Sequence, residues 1–222
     1  MQTVQMEWRL LEGVPAEEVR RVLEIARRRT FERDEVVFHE GDPADTIHLI
    51  ERGRAAARAT TRHGQRTTFA VLGPGDSFGE LSLLGPKAQR SATVVAIEPL
   101  VTQSIFEADF HRLRREYPQL TEVMIAMLAA SIRRLSAQLV DALYLPAELR
   151  VRKHVAELAE RYEEVDGEVV IPLRQEDIAD LAGTSRATVN RVLREEERRG
   201  TVRLTRAQTA VLDRERLLEL VW

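Results

Sequence analysis

FGELSLLGPKAQRSATVVA, residues 78 to 96, decides the fold of this chain. It sets a Gly-Glu-Leu at positions 79 to 81 and an Arg-Ser-Ala at positions 90 to 92, with a short Gly-Pro loop at Gly85 and Pro86 between them. An anion held tightly out of water requires charge-assisted donors of fixed geometry. An Arg fork, a hydroxyl and free backbone N–H groups at a short helix start supply them. Arg90, Ser91 and the amides near Leu81 and Ala92 form such a set. Glu80 has the wrong sign to touch a phosphate, but a carboxylate beside an anion site is suited to accept hydrogen bonds from a sugar hydroxyl. Phosphate and sugar recognition side by side point to a nucleotide.

The residues around this stretch carry the period of strands. Glu35 to Phe38, Thr46 to Ile50, Thr67 to Leu72, Ala92 to Ile97 and Leu100 to Ile105 are rich in Val, Ile, Thr and Phe, and Gly41, Gly53, Gly64, Gly75, Gly85 and Pro99 punctuate them. Short strands with regular turn signals predict a β-sandwich or roll. Seven of the eleven glycines lie between Gly41 and Gly85 and none between Pro86 and Asp166, so the architecture changes soon after the roll. Upstream, Val19, Val22, Leu23 and Ile25 among the charges of Pro15 to Arg29 predict a short amphipathic helix. A metal-binding roll enzyme would need closely paired histidines. His39, His48 and Glu51 lack that pairing, and His63, His111 and His154 stand alone, so they read as strand or surface residues. No Ser-His-Asp spacing stands out either, and no enzyme activity is expected.

The Phe-Gly-Glu-Leu and the Arg-Ser-Ala, at this spacing, resemble the phosphate-binding cassette of the cAMP receptor protein (CRP/FNR) family. The resemblance implies that Glu80 holds the ribose 2′-hydroxyl and that Arg90 with Ser91 holds the cyclic phosphate, with Gly79, Leu81, Ser82 and Ala92 around them. Ser82 stands where the family usually has Gly or Ala. The fold implied is α+β: an antiparallel jelly-roll domain over residues 1–117, a dimerisation helix over 118–145 and a C-terminal winged helix-turn-helix over 146–222.

The long helical segment from about Pro118 to Leu145 carries Ile125, Leu128, Ile132, Leu135, Leu139 and Ala142 at alternating spacings of three and four, a heptad seam. Ile at two of the a positions and Leu at two of the d positions favour a parallel two-stranded coil. Spacing alone leaves open a helix that packs this stripe on its own roll; the resemblance implies a homodimer. It also places the pair with which cAMP-binding members contact adenine, Thr-Ser, on Leu135 and Ser136. Ser136 is retained and would reach a ligand from across the dimer. Leu135 departs, since it cannot hydrogen-bond a purine and adds to the seam instead.

Tyr144, Leu145 and Pro146 read as a hinge, followed by a helix from Ala147 to about Tyr162 and a turn at Asp166 and Gly167 into a strand, Glu168 to Ile171. In RQEDIADLAGTSRATVNRVLREEERRG, residues 174 to 200, Ile178, Leu181 and Ala182 form one apolar face, Gly183 ends a helix and Ser185 caps the next. Two short helices joined by such a turn are a helix-turn-helix. With Val189, Val192 and Leu193 inward, Arg186, Ala187, Asn190 and Arg191 are left outward to meet base edges, Arg being suited to guanine. Gln175, Thr184, Ser185 and Thr188 are placed to serve phosphates. TSRATVNRVL resembles the family's recognition helix, except that Ala187 stands where the family often has Glu, which changes the base pair preferred there. Thr201 to Thr205 and Thr209 to Asp213 read as a β-wing, and Arg214 to Val221 as a final helix.

With 222 residues, 36 acidic and 33 basic, the chain carries a net charge of −3 and no cysteine. Absence of cysteine excludes disulfides, thiolate zinc sites and the cysteine-ligated iron-sulfur cluster of some relatives. MQTVQMEWRL lacks a basic leader and an apolar run, and Met124 to Ile132 is stopped by Arg133 and Arg134, so a cytoplasmic protein without membrane insertion is expected. The expected effector is cAMP, with cGMP or none as alternatives. The expected partners are a pseudo-palindromic double-stranded DNA site, a second copy of the chain and, by the resemblance, RNA polymerase. A cyclic-nucleotide-binding subunit that acts on protein is the reading from another class.

Overall fold

A computed structural model describes residues 7–84, 89–205 and 208–219. The chain divides into two compact units, Met1–Ala59 with Phe69–Arg134, and Thr60–Thr68 with Leu135–Trp222.

The roll is built from α1 (Ala16–Ile25), β1 (Arg27–Phe31), β2 (Val36–Phe38), β3 (Thr46–Arg52), β4 (Ala55–Thr60), β5 (Arg66–Leu72), β6 (Ser77–Phe78), β7 (Thr93–Ala96), β8 (Leu100–Phe106) and α2 (Glu107–Glu116). Its sheets run β1-β8-β3-β6 and β2-β7-β4-β5. Pairing is antiparallel, with Phe31 opposite Leu100, Ile47 opposite Ile105 and Ala55 opposite Ala96. Phe31, Ile50, Phe78, Val94 and Leu100 fill one core cluster; Leu10, Ile47, Leu49, Ile105, Phe110 and Leu113 fill another with Leu120 and Met124. Those last two residues belong to α3 (Gln119–Tyr144), so the first turns of the long helix are part of the roll's core.

Several elements differ from expectation. The first helix stops at Ile25, and Arg27 to Arg29 extend as β1, an edge strand whose long charged side chains point to solvent and discourage further pairing. Helical periodicity and three arginines hid it. Alanine-rich β4 is a strand because β7 pairs with it, an example of tertiary context outweighing weak β-propensity. α2 buries Phe110 and Leu113 one turn apart. The Gly85–Pro86 loop lies outside the described residues.

α3 is also longer and more apolar than Met124 to Ile132 suggests. By length and composition alone its 26 residues could cross a bilayer. Its exposed apolar residues nevertheless include Ile125, Ile132, Leu135 and Leu139, which follow the seam, and Arg133 and Arg134 interrupt it at mid-length. Val140, Leu143 and Tyr144 are exposed beside the seam near the end of the helix, and the seam itself is a stripe of the kind another helix covers.

The second unit contains α4 (Ala147–Ala159), β9 (Glu164–Val165), β10 (Glu168–Ile171), α5 (Gln175–Ala182), α6 (Arg186–Arg199), β11 (Val202–Thr205), β12 (Gln208–Val211) and α7 (Arg214–Leu218). Val151, Val155, Ile178, Ala182, Val189, Val192 and Leu193 are buried together in its core, as the periodicity predicts. Gly183 closes α5 in the left-handed conformation at φ 57°, and the Ser185 hydroxyl accepts from the Thr188 N–H at 3.1 Å to open α6. Strand order β11-β12-β10-β9 makes the wing a four-stranded sheet. Arg150 joins its parts: the guanidinium donates to Leu145 O at 2.7 Å, Ala182 O at 2.8 Å and Gly183 O at 3.2 Å. It thereby satisfies orphan carbonyls at the end of α5 and at the hinge.

Candidate functional site

The cassette begins where β6 pairs with β3, Phe78 opposite His48. Gly79 then turns at φ +93°, a conformation open to glycine, and a Cβ there would meet Arg90 Nη1 at 2.6 Å and Thr46 O at 3.0 Å. Leu81–Leu83 follow as one 3-10 turn, with Ser82 buried and Leu81 turned out. Arg90 returns on the far side of the loop. Its backbone is fixed at both ends, the N–H donating to Asp42 O and the carbonyl accepting from Gly41 N–H, each at 2.9 Å.

The Arg90 side chain is 3% exposed. Nη1 donates to Thr46 O at 2.8 Å and more weakly to Gly79 O at 3.4 Å, and Nη2 donates to Thr46 Oγ1 at 2.9 Å. The Asp45 carboxylate stands 3.9 Å away and is itself largely in solvent. Among the described residues Nε is shielded and has no hydrogen-bond partner; the same holds for Glu80 Oε2 and Ser77 Oγ. Burial pushes the Arg90 guanidinium below its ordinary value, against Asp45, Asp42 and Glu80. Glu80 is pushed up by burial, against its own backbone N–H and Arg90. A buried cation without a close buried counter-ion is costly, and an arriving anion would offset that cost. Arg90 and Glu80 thus leave a shielded donor and a shielded carboxylate oxygen in the same cassette.

Gly79, Glu80, Leu81, Ser82, Arg90, Ser91 and Ala92 all fall within the roll, with Ser91 exposed and Ala92 half-buried. Leu135 and Ser136 lie on α3 in the second unit, where both are exposed. Sequence reasoning missed Thr46, which takes both terminal nitrogens of Arg90; a threonine opening a strand carries no local signal of that role. It also missed His48. This ring is 5% exposed, its Nδ1 lies 3.0 Å from Thr102 Oγ1, and it stacks on Phe78. Among the described residues no group of three or more His, Cys, Asp or Glu could hold a metal ion.

Burial, reinforced by Arg90 and Arg29 and opposed by Asp45, lowers His48 from 6.5 to about 3. The unfolded chain therefore takes up a proton below pH 6.5 that the folded chain refuses until about pH 3, so this group makes stability fall as pH falls through that window. At pH 5 the loss is ~2 kcal/mol relative to pH 7. Denaturant unfolding of wild type and His48→Gln at both pH values measures it: the wild type should lose that much more. Equal losses would mean that folded His48 accepts the proton.

On the reader, Ser185, Arg186, Ala187, Asn190 and Arg191 are exposed, and Gln175, Thr184 and Thr188 half-buried. Asn190 Nδ2 donates to Gln175 Oε1 at 3.1 Å, tying α6 to α5. Ser185 and Thr188 hydroxyls lie 3.0 Å apart. Arg191 Nη2 donates to Glu148 Oε1 at 2.6 Å. Glu148 is held low first by its own backbone N–H and then by Arg191. Among the described residues Arg186 has no ion pair, which leaves its fork available. The outward face of α6 thus presents polar donors on a buried apolar base, the arrangement a base-reading helix needs.

These features define a ligand-binding roll joined to a helix-turn-helix reader. Residues 28–117 match the cyclic nucleotide-binding domain family, and residues 149–220 the Crp-like helix-turn-helix domain family. The chain belongs to the CRP family of DNA-binding transcriptional regulators. It is 32% identical over 190 residues to the CRP-like cAMP-activated global transcriptional regulator of Mycobacterium tuberculosis, covering 84% of each chain. With the cyclic AMP receptor protein of Thermus thermophilus it shares 33% identity over 195 residues and 88% of each chain. The structure of FixK2 from Bradyrhizobium japonicum matches in fold, with TM-score 0.79 at 23% identity over 88% of this chain and 97% of that one.

Proposed function

We propose that the chain is a cytoplasmic, homodimeric regulator whose DNA affinity is gated by a cyclic nucleotide, cAMP first, bound in the roll. The single observation that carries the ligand is Arg90, a buried guanidinium whose Nε lacks a partner while the Glu80 Oε2 atom of the same cassette also lacks one. Arg90 and Ser91 would take the cyclic phosphate and Glu80 the ribose 2′-hydroxyl. The relatives from Mycobacterium tuberculosis and Thermus thermophilus carry cyclic AMP in their names, which supports that nucleotide.

Dimerisation is supported by α3, on which Ile125, Ile132, Leu135 and Leu139 are 42% to 64% exposed in the single chain. A second copy would bury them as a coiled-coil seam. The functional division is then the roll to residue 117, the dimer helix 118–145 and the reader 146–222. Two α6 helices would enter successive major grooves about 34 Å apart on a pseudo-palindromic site. A ligand gates that geometry only through higher affinity for the DNA-competent state. Ser136 of the partner subunit would contribute to such a difference; RNA polymerase is the downstream partner proposed.

Calorimetric titration of the purified protein with cAMP, and with cGMP for comparison, tests the ligand. Saturable binding of one nucleotide, abolished in Arg90→Ala, is expected; no heat with either removes the effector from the proposal. Loss of one Arg–guanine fork corresponds to ~1–3 kcal/mol, so Arg186→Ala should weaken the selected operator at least about fivefold. Unchanged affinity would exclude Arg186 from base contact. Leu135 specifically favours a second reading, a regulator without a nucleotide switch, in which operator affinity is equal with and without cAMP.

A further inference from the structure

We propose that Phe38 is a positioning residue for the ligand, the partly buried edge of an aromatic platform with His48 and Phe78 that holds the Arg90 guanidinium in place. The proposal rests on the reading of Arg90 as the phosphate-binding cation.

The Arg90 guanidinium carbon lies 4.0 Å from the centroid of the Phe38 ring, within the range of a strong cation–π contact. Phe38 is in turn 5.8 Å from Phe78 at a tilt of 53°, and Phe78 lies parallel to His48 at 4.9 Å and 3°. His48 completes the group, 6.2 Å from Phe38 and 6.2 Å edge-on from Phe31. The strands fix these rings. Phe38 sits on β2, where it pairs with Val94 of β7, and Phe78 is opposite His48 across the β3–β6 ladder. Phe78 immediately precedes Gly79, whose carbonyl also meets Arg90. The stack therefore supports Arg90 and the start of the cassette together.

Aliphatic packing would fill the same space without the same effect. Thr46 already uses Nη1 and Nη2 of Arg90, and any further polar contact would take a donor that an anion needs. An aromatic face attracts the guanidinium through its quadrupole and consumes no N–H. Nε is thus left unpartnered while the plane of the group is held. The same logic explains a histidine in an apolar stack. Its ring must be neutral beside Arg90, and burial, reinforced by Arg90 and Arg29, keeps it so, while Nδ1 lies 3.0 Å from Thr102 Oγ1.

If the ring reduces the number of orientations open to Arg90, removing it lowers the binding-competent fraction, and apparent affinity falls in proportion. Phe38→Leu should therefore weaken cAMP binding roughly fivefold, while Phe38→Tyr, which keeps the π face, stays within about twofold. The Arg90 Nε–Hε resonance of the free ¹⁵N-labelled protein, assigned through Arg90→Lys, provides a readout that needs no ligand. It should be ring-current shifted in wild type and Phe38→Tyr and move toward the free-arginine position in Phe38→Leu. Phe38→Met, which keeps volume without the ring, should behave as Phe38→Leu does and replaces it if Phe38→Leu does not fold. Wild-type affinity in Phe38→Leu, or an Nε–Hε resonance that does not move, overturns the proposal. If wild type binds neither cAMP nor cGMP, the ligand assignment fails, and the Nε–Hε shift alone decides whether the platform holds Arg90.

Discussion

Replacing Gly79 with alanine is expected to weaken cyclic-nucleotide binding by more than about tenfold and to cost about 1–3 kcal/mol of stability from the strained backbone alone. Gly79 holds φ +93°, and the added Cβ would fall 2.6 Å from Arg90 Nη1 and 3.0 Å from the Thr46 carbonyl. The carbonyl belongs to β3, which is paired to β8 and β6, and cannot retreat. Arg90 is the part that moves, and in moving it leaves its Thr46 bonds and the Phe38 face. Displacement by about an ångström at a preorganised charge-assisted site is enough to lose most of its contribution. Gly64→Ala is the control: Gly64 has φ +79° but nothing within 4 Å of its Cβ position, so it carries the backbone strain without the displacement. Calorimetry on both variants separates the effects. If Gly79→Ala binds nucleotide no worse than Gly64→Ala, Arg90 does not depend on the space beside Gly79.

Glu196→Gln is expected to destabilise the reader by about 3 kcal/mol. Glu196 is 1% exposed on α6 and accepts from Arg152 Nε of α4 at 2.8 Å, from Arg199 at 3.3 Å and from the Thr201 hydroxyl at 2.7 Å. Arg152 is itself 6% exposed, with Glu195 as a longer contact at 3.6 Å. Removing the Glu196 charge strands a buried guanidinium, and that penalty exceeds what the intact pair adds to stability. Because the pair fixes the crossing of α4 and α6, loss of operator affinity should follow the loss of structure. Thermal unfolding followed by circular dichroism measures the first and fluorescence anisotropy on operator DNA the second. A second variant, Arg152→Met with Glu196→Leu, replaces the pair with apolar groups and should recover much of the stability. If Glu196→Gln melts with the wild type, the buried pair does not hold the reader together.

The relation of sequence to structure differs between elements. The turn from α5 into α6 was legible because its chemistry is local. Gly183 accepts a positive φ and Ser185 caps the next helix with its own hydroxyl, so neighbours in sequence are the neighbours that matter. β1 and β4 were not legible. Their pairing with β8 and β7 outweighs an arginine run in one and alanine content in the other. Within the cassette, Arg90 and Glu80 stood out by residue type and spacing. Thr46 and Phe38, on other strands, had no signal in the chain near Arg90.

The sequence by itself determined the order of the modules, the cassette residues, the outward face of α6 and the heptad stripe of α3, because each is written in residue types at fixed short spacing. Only the tertiary structure decided what holds Arg90, that its Nε is left without a partner, that His48 is buried and neutral, and that Glu148 takes Arg191. These properties arise from strands and helices distant in sequence being brought within hydrogen-bond and ring-contact range. Burial then makes the energy of each charge depend on neighbours that no local pattern identifies.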